Sequence, residues 1–586
     1  MHVMMESKPA LLSKTESEAL FCRDVQRGEL VIACALLALT ILLKLFFVFR
    51  YGFDTDEPQH LHVVWGWTSG LVQYRDLFDN HAPLFHMLCA PLLKLIGESP
   101  ETLYAMRLAM IPLFIMVLWC TYAIGREIFS RRCGLWAAVC AGLWPDFFLH
   151  SIEFRPDTLW TVLFLLTVIV LIRAGLSAAQ SFSAGLLMGA AAGVSVKTTF
   201  LLASLGLGAL ALLAAPSYFY LPRYDCKRFS KYGLAFAAGF SVIPGLLVLF
   251  FYRWGALGHL FYQTIQHNVI SGLGLWDTLY EQLLVFSFLL LVLVLIARGM
   301  ARHTSHEGIR ARRLIVLLIC GLYFSLLIAF CPLMEPEHFF PFFPLLFILL
   351  APLLCNPPPL RIFTPLRQFL SRRACLWAIP ALAAFLEAGA ILALADRALL
   401  HDQTHSEINL INDVLRLTDP ADPVADLKGE TIFRQRSSYY VLEKITRARI
   451  KCGLMTDDIA ERLIATRTCV ATPDNYFFPI RARVFLNENY IPVGSLRVAG
   501  KLLVPASDPA QPVSFVIRIP APYVIVSQNG SATGRLDGKP YDGGACFLEA
   551  GQHEFLPAAE ANRFAVLWAQ AHERGYSPFF LQDTTQ

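Results

Sequence analysis

From Leu30 to Phe49 the chain runs for twenty residues with one charge, Lys44, and the stretch Phe53-Asp-Thr-Asp-Glu-Pro-Gln-His-Leu-His62 follows at once. About 20 consecutive apolar residues are what a helix needs to cross the hydrocarbon of a bilayer, where a backbone has to satisfy its own polar groups. Further apolar segments lie over 106–125, 133–151, 158–173, 184–196, 199–215, 232–251, 281–297, 314–331, 339–356 and 376–396, which makes eleven candidate spans. With 56% hydrophobic and only 16% charged residues, a soluble domain of 586 residues is excluded. The pattern predicts a polytopic α-helical membrane protein whose transmembrane domain covers 30–396. Residues 1–29 are polar and hold Lys8, Lys14, Arg23 and Arg27. No apolar core with a small-residue cleavage site precedes the first span, so that span is read as a retained helix and 1–29 as a cytoplasmic segment.

Short loops rich in Lys and Arg stay cytoplasmic. With the N-terminus inside, Arg126, Arg131, Arg132, Arg173, Arg223, Lys227, Arg228, Lys231, Arg298, Arg302, Arg310, Arg312, Arg313, Arg361, Arg367, Arg372 and Arg373 all fall on one face. The opposite loops hold Asp54 to His86, Glu153 to Asp157, Arg253 to Asp277 and Cys331 to His338, with everything after about 397. This predicts a multi-pass protein of the inner (plasma) membrane with its chemistry on the external or periplasmic side. Pro83 to Ile96 is apolar but too short to span, and is read as a helix in the membrane interface within a first external loop, 51–105. Lys197 separates the runs 184–196 and 199–215; a single kinked helix there would invert every later side. The net charge of +4 is accounted for by the cytoplasmic loops and implies no nucleic acid.

After the last span, 397–494 mixes helical periodicity with short apolar strands and predicts an external α/β region. Residues 495–586 turn to β, with Asn529-Gly530, Asp537-Gly538 and Asp542-Gly543-Gly544 at hairpin spacing, and predict a β-sandwich-like domain. Such a domain packs as a lid, or binds glycan or acceptor. Of fourteen cysteines, Cys452, Cys469 and Cys546 lie in this part; none has zinc spacing, and a Cys452–Cys469 disulfide is one option. Asn529-Gly530-Ser531 fits the N-glycosylation pattern and equally a turn.

Taken alone, Asp54-Thr55-Asp56-Glu57 is a polar loop start in which Asp56-Glu57-Pro58 caps a helix. Its company changes the weighting. The loop goes on with Tyr74-Arg75-Asp76-Leu77-Phe78-Asp79-Asn80-His81-Ala82-Pro83-Leu84, and the second external loop offers Glu153-Phe154-Arg155-Pro156-Asp157. Partly desolvated carboxylates at such a surface have the character of general bases.

The order of first span, Asp-Glu pair, aromatic-acidic stretch ending in Pro-Leu, second-loop Asp, and Gly193-Val-Ser-Val-Lys197-Thr resembles the GT-C membrane glycosyltransferases, nearest the branch of protein O-mannosyltransferases and lipid A aminoarabinose transferases. The resemblance covers about 30–350, including Glu335-Pro336-Glu337-His338-Phe339-Phe340-Pro341. It implies a polyprenyl-phosphate sugar donor, Asp56 as catalytic base with Glu57 beside it, and Asp157 as the second-loop acid. Where the aminoarabinose transferases carry a phosphate-binding Lys before the loop Pro, this chain has His81-Ala82-Pro83, leaving His81, Arg75 or Lys94 for that contact. No match to the extra domain of the O-mannosyltransferases is evident, so the acceptor is left as a lipid, a surface glycan or a protein.

A sugar bonded through C1 to a phosphate has a leaving group that departs as a stabilised anion, so the site needs a base for the acceptor and cations for the phosphate. Asp54, Arg155, Lys197, Arg253, His259 and His338 lie on the predicted side to bind substrate, although an interfacial His more often has a structural bond and Lys197 could snorkel to headgroups. Asp54-Thr55-Asp56 is formally a DxD, the metal-chelating pattern of nucleotide-sugar transferases; a monophosphate donor needs less charge neutralised, and no cofactor is expected. His60, His62, His81 and His86 near Asp54, Asp56 and Asp79 raise a metal alternative, but His60 and His62, two apart, point to different helix faces, and shared ligation by them is not expected. A flippase or transporter of a lipid-linked substrate would place charges in mid-span and show repeated halves, and a glycan-binding scaffold would tolerate loss of Asp56.

Overall fold

The computed structural model describes residues 25–173, 176–222, 226–270, 279–302, 304, 306–331, 334–355, 372–473, 476–504, 511–528, 530–558 and 563–579. Arg223, Asp277, Arg361, Arg367, Asn529 and most of the 1–29 segment lie outside the described residues, as do the side chains of Arg372 and Arg373. Among those described, six helices are long and apolar enough to cross a membrane: Arg27–Val48, Thr102–Ile128, Lys227–Arg253, Leu279–Arg302, Glu307–Phe330 and Trp377–Leu394. Shorter apolar helices run over Asp157–Ile172, Ala178–Val194, Thr198–Ala214 and Phe342–Cys355. The run expected as one span over 133–151 is two helices, Arg131–Leu143 and Pro145–His150, with extended Trp144 between them. Proline disfavours helical backbone in the residue before it, which places the break there.

The chain divides into two compact units. The first draws on the stretches up to Val48, Leu108–Leu247 and Gly274–Leu400. Its apolar helices enclose a few satisfied charges. Lys44 is buried in the first span, where Nζ donates to Phe148 O at 2.6 Å and Ser151 Oγ at 2.8 Å. Glu29 Oε1 accepts from Arg132 Nε at 2.6 Å and Trp136 Nε1 at 2.7 Å. The Ala178–Val194 and Cys226–Arg253 helices touch backbone to backbone: a Cβ on Gly185 would stand 2.0 Å from Phe236 O, on Gly189 2.3 Å from Phe240 O, and on Gly239 2.0 Å from Phe182 O. With lipid as apolar as the side chains, close approach through small residues four apart supplies the packing.

The second unit draws on Phe49–Arg107, Val248–Leu273 and His401–Gln586. The loop after the first span folds into the helices Asp56–Thr68 and Leu84–Ile96. The latter buries Phe85, His86, Cys89 and Leu93 along one side and exposes Leu88 and Leu95, the division expected of a helix too short to span.

In the C-terminal part, an eight-stranded sheet has the path β1 (Val424–Ala425), β2 (Val470–Ala471), β4 (Leu496–Leu503), β12 (Phe564–Trp568), β6 (Ala521–Ser527) and β10 (Cys546–Leu548), with β3 (Tyr490–Val493) on β4 and β7 (Gly530–Ser531) on β6. A four-stranded sheet, β5 (Val513–Ile517), β11 (Gly551–Pro557), β8 (Gly534–Leu536) and β9 (Lys539–Tyr541), packs against it through Phe515, Ile517, Leu536 and Phe555. The boundary expected at 494/495 falls inside the β3–β4 hairpin. Because β2 also pairs with β4, the α/β and β portions share one sheet and one core that includes Leu417, Leu463, Leu486, Val498 and Val566. No Cys452–Cys469 disulfide forms: Cys452 is exposed, Cys469 is buried, and both thiols are free.

Candidate active site

The chemistry-bearing residues gather in two clusters, one in each unit. In the second unit the Asp56–Thr68 helix is started by Asp54 rather than by Asp56 or Thr55: Asp54 Oδ1 accepts from Asp56 N–H at 2.9 Å, and Glu57 Oε1 reaches back to Asp54 N–H at 2.9 Å. This reciprocal bonding satisfies two N–H groups at the helix start, in the manner of a capping box. Glu57 is fully buried against Arg107, whose other donors go to the carbonyls of Tyr51 at 2.6 Å and Gly52 at 2.8 Å. The guanidinium also lies 4.1 Å over the Phe53 ring. Asp56 differs from its neighbour in being partly open, 24% exposed, with Oδ1 bonded to Lys428 Nζ.

The following loop turns through Tyr74, which is fully buried and holds a left-handed φ of +73°. For a bulky residue such a conformation costs about 1–3 kcal/mol and persists only when surroundings over-determine it. Here the phenol donates to His81 O at 2.6 Å, and the Tyr74 carbonyl accepts from Gln263 Nε2 at 2.7 Å and from Tyr439 O–H. The turn delivers buried Asp79, whose Oδ1 meets His81 Nδ1 at 2.8 Å and whose Oδ2 accepts from Gln73 Nε2 at 2.6 Å. His86 Nδ1 lies 3.3 Å from Gln73 Nε2, and His86 Nε2 lies 2.9 Å from His60 Nδ1. With Gln73 the donor, His86 is the neutral Nε2–H tautomer. Burial pushes its pKa down to about 4, Asp79 opposing and His81 adding to the fall. For Asp79 burial acts upward, but His81 and His86 outweigh it and hold the carboxyl below its ordinary value. His81 is thus the partly exposed end, 28% open, of a buried polar chain. His62 points elsewhere on the helix, to Ile432 O at 2.7 Å.

Of the other residues expected to bind substrate in this unit, Arg75 pairs with its neighbour Asp76 at 2.8 Å and also donates to Trp254 O at 3.2 Å. Lys94, Arg253 and His259 are exposed.

In the first unit Asp157 opens its helix buried, 3% exposed, with Lys197 Nζ at 2.7 Å from Oδ1 and Arg155 Nε at 3.6 Å from Oδ2. Arg155 also bonds Glu337 and lies 3.6 Å from Glu153, which pairs with His150 at 2.8 Å. Lys197 therefore rests on a carboxylate, and Trp160, whose Nε1 donates to Thr198 Oγ1 at 2.9 Å, forms the adjoining wall. Trp160, Glu153 and Glu337 join Arg155, Asp157 and Lys197 in this cluster; Glu337 was legible only as the neighbour of His338. His338 accepts from Tyr323 O–H through its carbonyl at 2.6 Å and turns Nδ1 toward Cys331 Sγ at 3.6 Å. Among the described residues, no three His, Cys, Asp or Glu side chains are grouped as ligands for a metal ion.

Residues 80–247 match the family model described as dolichyl-phosphate-mannose-protein mannosyltransferase. No curated protein sequence matches significantly. Among solved structures, apo ArnT from Cupriavidus metallidurans superposes with a TM-score of 0.53 at 13% identity, covering 79% of this chain and 96% of ArnT. The same protein bound to undecaprenyl phosphate gives 0.53 at 12% identity, over 79% and 97%. At these identities the likeness is one of fold.

Proposed function

We infer that this chain, a membrane glycosyltransferase of the GT-C superfamily, takes its sugar from a polyprenyl-phosphate carrier and passes it with inversion to an acceptor hydroxyl, using Asp56 as base. The observation that carries the assignment is the contrast between two adjacent carboxylates. Glu57 is sealed against Arg107, whereas Asp56, at the head of the same helix, is open to an incoming group. The undecaprenyl phosphate bound by ArnT, a protein of like fold, supports the donor class.

In the step proposed, the acceptor oxygen gives its proton to Asp56 and bonds to C1 from the side opposite the phosphate. The C1–O bond breaks, its electron pair leaves on the polyprenyl phosphate, and Asp56 later returns its proton to water. His81 is the best placed of the phosphate contacts in its unit, being held by Asp79 at one nitrogen and partly open, while Arg75 is engaged with Asp76. Lys197 and Arg155, set on Asp157, supply cationic character in the other unit. Glu57 and Asp54 shape the helix start. The basic loops support an external or periplasmic face for the second unit. The acceptor is a lipid, a surface glycan or a protein.

The test is a lipid extract from cells lacking the protein and from cells carrying Asp56→Asn, read by mass spectrometry. Accumulation of one polyprenyl-phosphate sugar in both is expected. A variant that clears the donor at the wild-type rate removes Asp56 from the mechanism.

A further inference from the structure

Lys428 follows Asp56 by 372 residues, in the loop after β1. Its Nζ donates to Asp56 Oδ1 and, at 2.8 Å, to Thr55 Oγ1. The loop that presents it is internally bonded. Glu430 Oε2 accepts from the N–H groups of Leu427 at 3.0 Å and Lys428 at 2.9 Å. Asp426 accepts from Thr431 Oγ1 at 2.8 Å and is paired with buried Arg436, which also donates to Leu427 O at 2.8 Å. Gly429, at φ +109°, lays the turn so close to the Asp56–Thr68 helix that a Cβ there would stand 2.8 Å from His62 Cβ. An exposed lysine resting on an aspartate contributes little. This one is 14% exposed, and the segments at both ends of the contact are anchored.

We propose that Lys428 is a positioning residue for Asp56: it holds the carboxylate in one rotamer and in the ionised form that receives the acceptor proton. The proposal rests on Asp56 being the base. Two requirements meet in the contact. A base has to be unprotonated before the acceptor arrives, which a cation within about 4–6 Å favours. It also has to be oriented, since a misplacement of about 1 Å can cost about a hundredfold in rate. The charges around the contact are arranged as follows. Asp54 opposes Asp56 with like charge, Glu57 is balanced by Arg107, Asp426 by Arg436, and Glu430 is turned onto backbone N–H groups. Once Asp56 is protonated and neutral, Lys428 keeps its bond to Thr55 and stays in place for the next cycle.

The experiment uses the full chain in detergent, with the lipid extract of cells lacking the protein as donor and membranes of those cells as acceptor. Transfer is followed from about pH 4 to 8. Removing the cation raises the pKa of Asp56, so in Lys428→Met the acid limb of the profile should move up by about one pH unit. The rate at pH 7 should fall about tenfold to a hundredfold. Lys428→Arg should keep the wild-type limb. Lys428→Gln replaces the Met variant if that fails to reach the membrane. A wild-type profile in the neutral variant, or an equal loss at every pH with the limb unmoved, overturns the proposal. Asp56→Asn, run alongside, separates the two ideas: active Asp56→Asn sinks the base assignment itself, whereas inactive Asp56→Asn with an unaffected Lys428→Met sinks only the role of Lys428.

Discussion

Glu57 and Arg107 close a two-point ion pair with both side chains out of solvent: Nε lies 2.7 Å from Oε2 and Nη2 2.5 Å from Oε1. A buried pair of this kind is costly to break because the survivor is left as an uncompensated charge. Glu57→Gln should therefore destabilise the protein by about 3–5 kcal/mol, seen as early thermal unfolding in detergent. Asp56→Asn, which touches a partly exposed pair, should cost about 1 kcal/mol or less while removing transfer. Equal stability losses in the two variants would contradict the division between a structural and a reactive carboxylate.

Asp157 and Lys197 are coupled through a 2.7 Å bond, one partner buried. Lys197→Met and Asp157→Asn should each destabilise, and the double variant should cost less than the sum by about 1–3 kcal/mol. A double-mutant cycle by thermal unfolding measures that term, and strict additivity would show that the pair is not a unit.

The buried, neutral His86 makes stability depend on pH. Its folded pKa, about 4, lies below the ordinary value of 6.5, so between those limits the unfolded chain binds more protons than the folded one. Stability is full above about pH 6.5 and falls as the pH drops toward 4, by about 3 kcal/mol across the window. Asp79, whose carboxyl is held low, adds a loss that sets in as the pH falls to the ordinary carboxylate value and continues below it. Melting temperatures of wild type and His86→Gln between pH 7 and 4.5 check the sign: the variant should lose most of the slope.

Where Gly185 and Gly239 bring two helices into backbone contact, a side chain has nowhere to go. Gly185→Leu should reduce the yield of monodisperse protein and lower its stability by about 1–3 kcal/mol or more. Gly206, with no atom within 4 Å of an added Cβ, should accept Ala without loss. Gel filtration of the two variants gives the comparison.

Cys452 is an exposed native thiol and so reports the side of the second unit. A membrane-impermeant maleimide added to intact spheroplasts should label it, and Cys452→Ser should remove most of that signal. Labelling only after lysis would invert the proposed orientation.

Hydropathy made the helical membrane architecture legible, because a span has to be apolar throughout its length. The carboxylates at 54–57 stood out for a related reason, as charges placed directly after such a span. What hydropathy does not encode is partnership across long separations. Glu57 and Asp56 look alike in sequence, and Arg107, fifty residues on, and Lys428 distinguish them. The change of pattern near 495 was legible, but not that β2 and β3, before it, pair with β4, after it. The short apolar strands β1 and β2 were visible, but their pairing was not.

The second unit is stitched from stretches near the beginning, the middle and the end of the chain. At roughly 5–20 residues per second, the ribosome reaches Lys428 on the order of 20 to 75 s after it has made Asp56, 372 residues earlier. Through that interval the Asp56–Thr68 helix lacks its Lys428 contact, and the second unit closes only after its last stretch has been made.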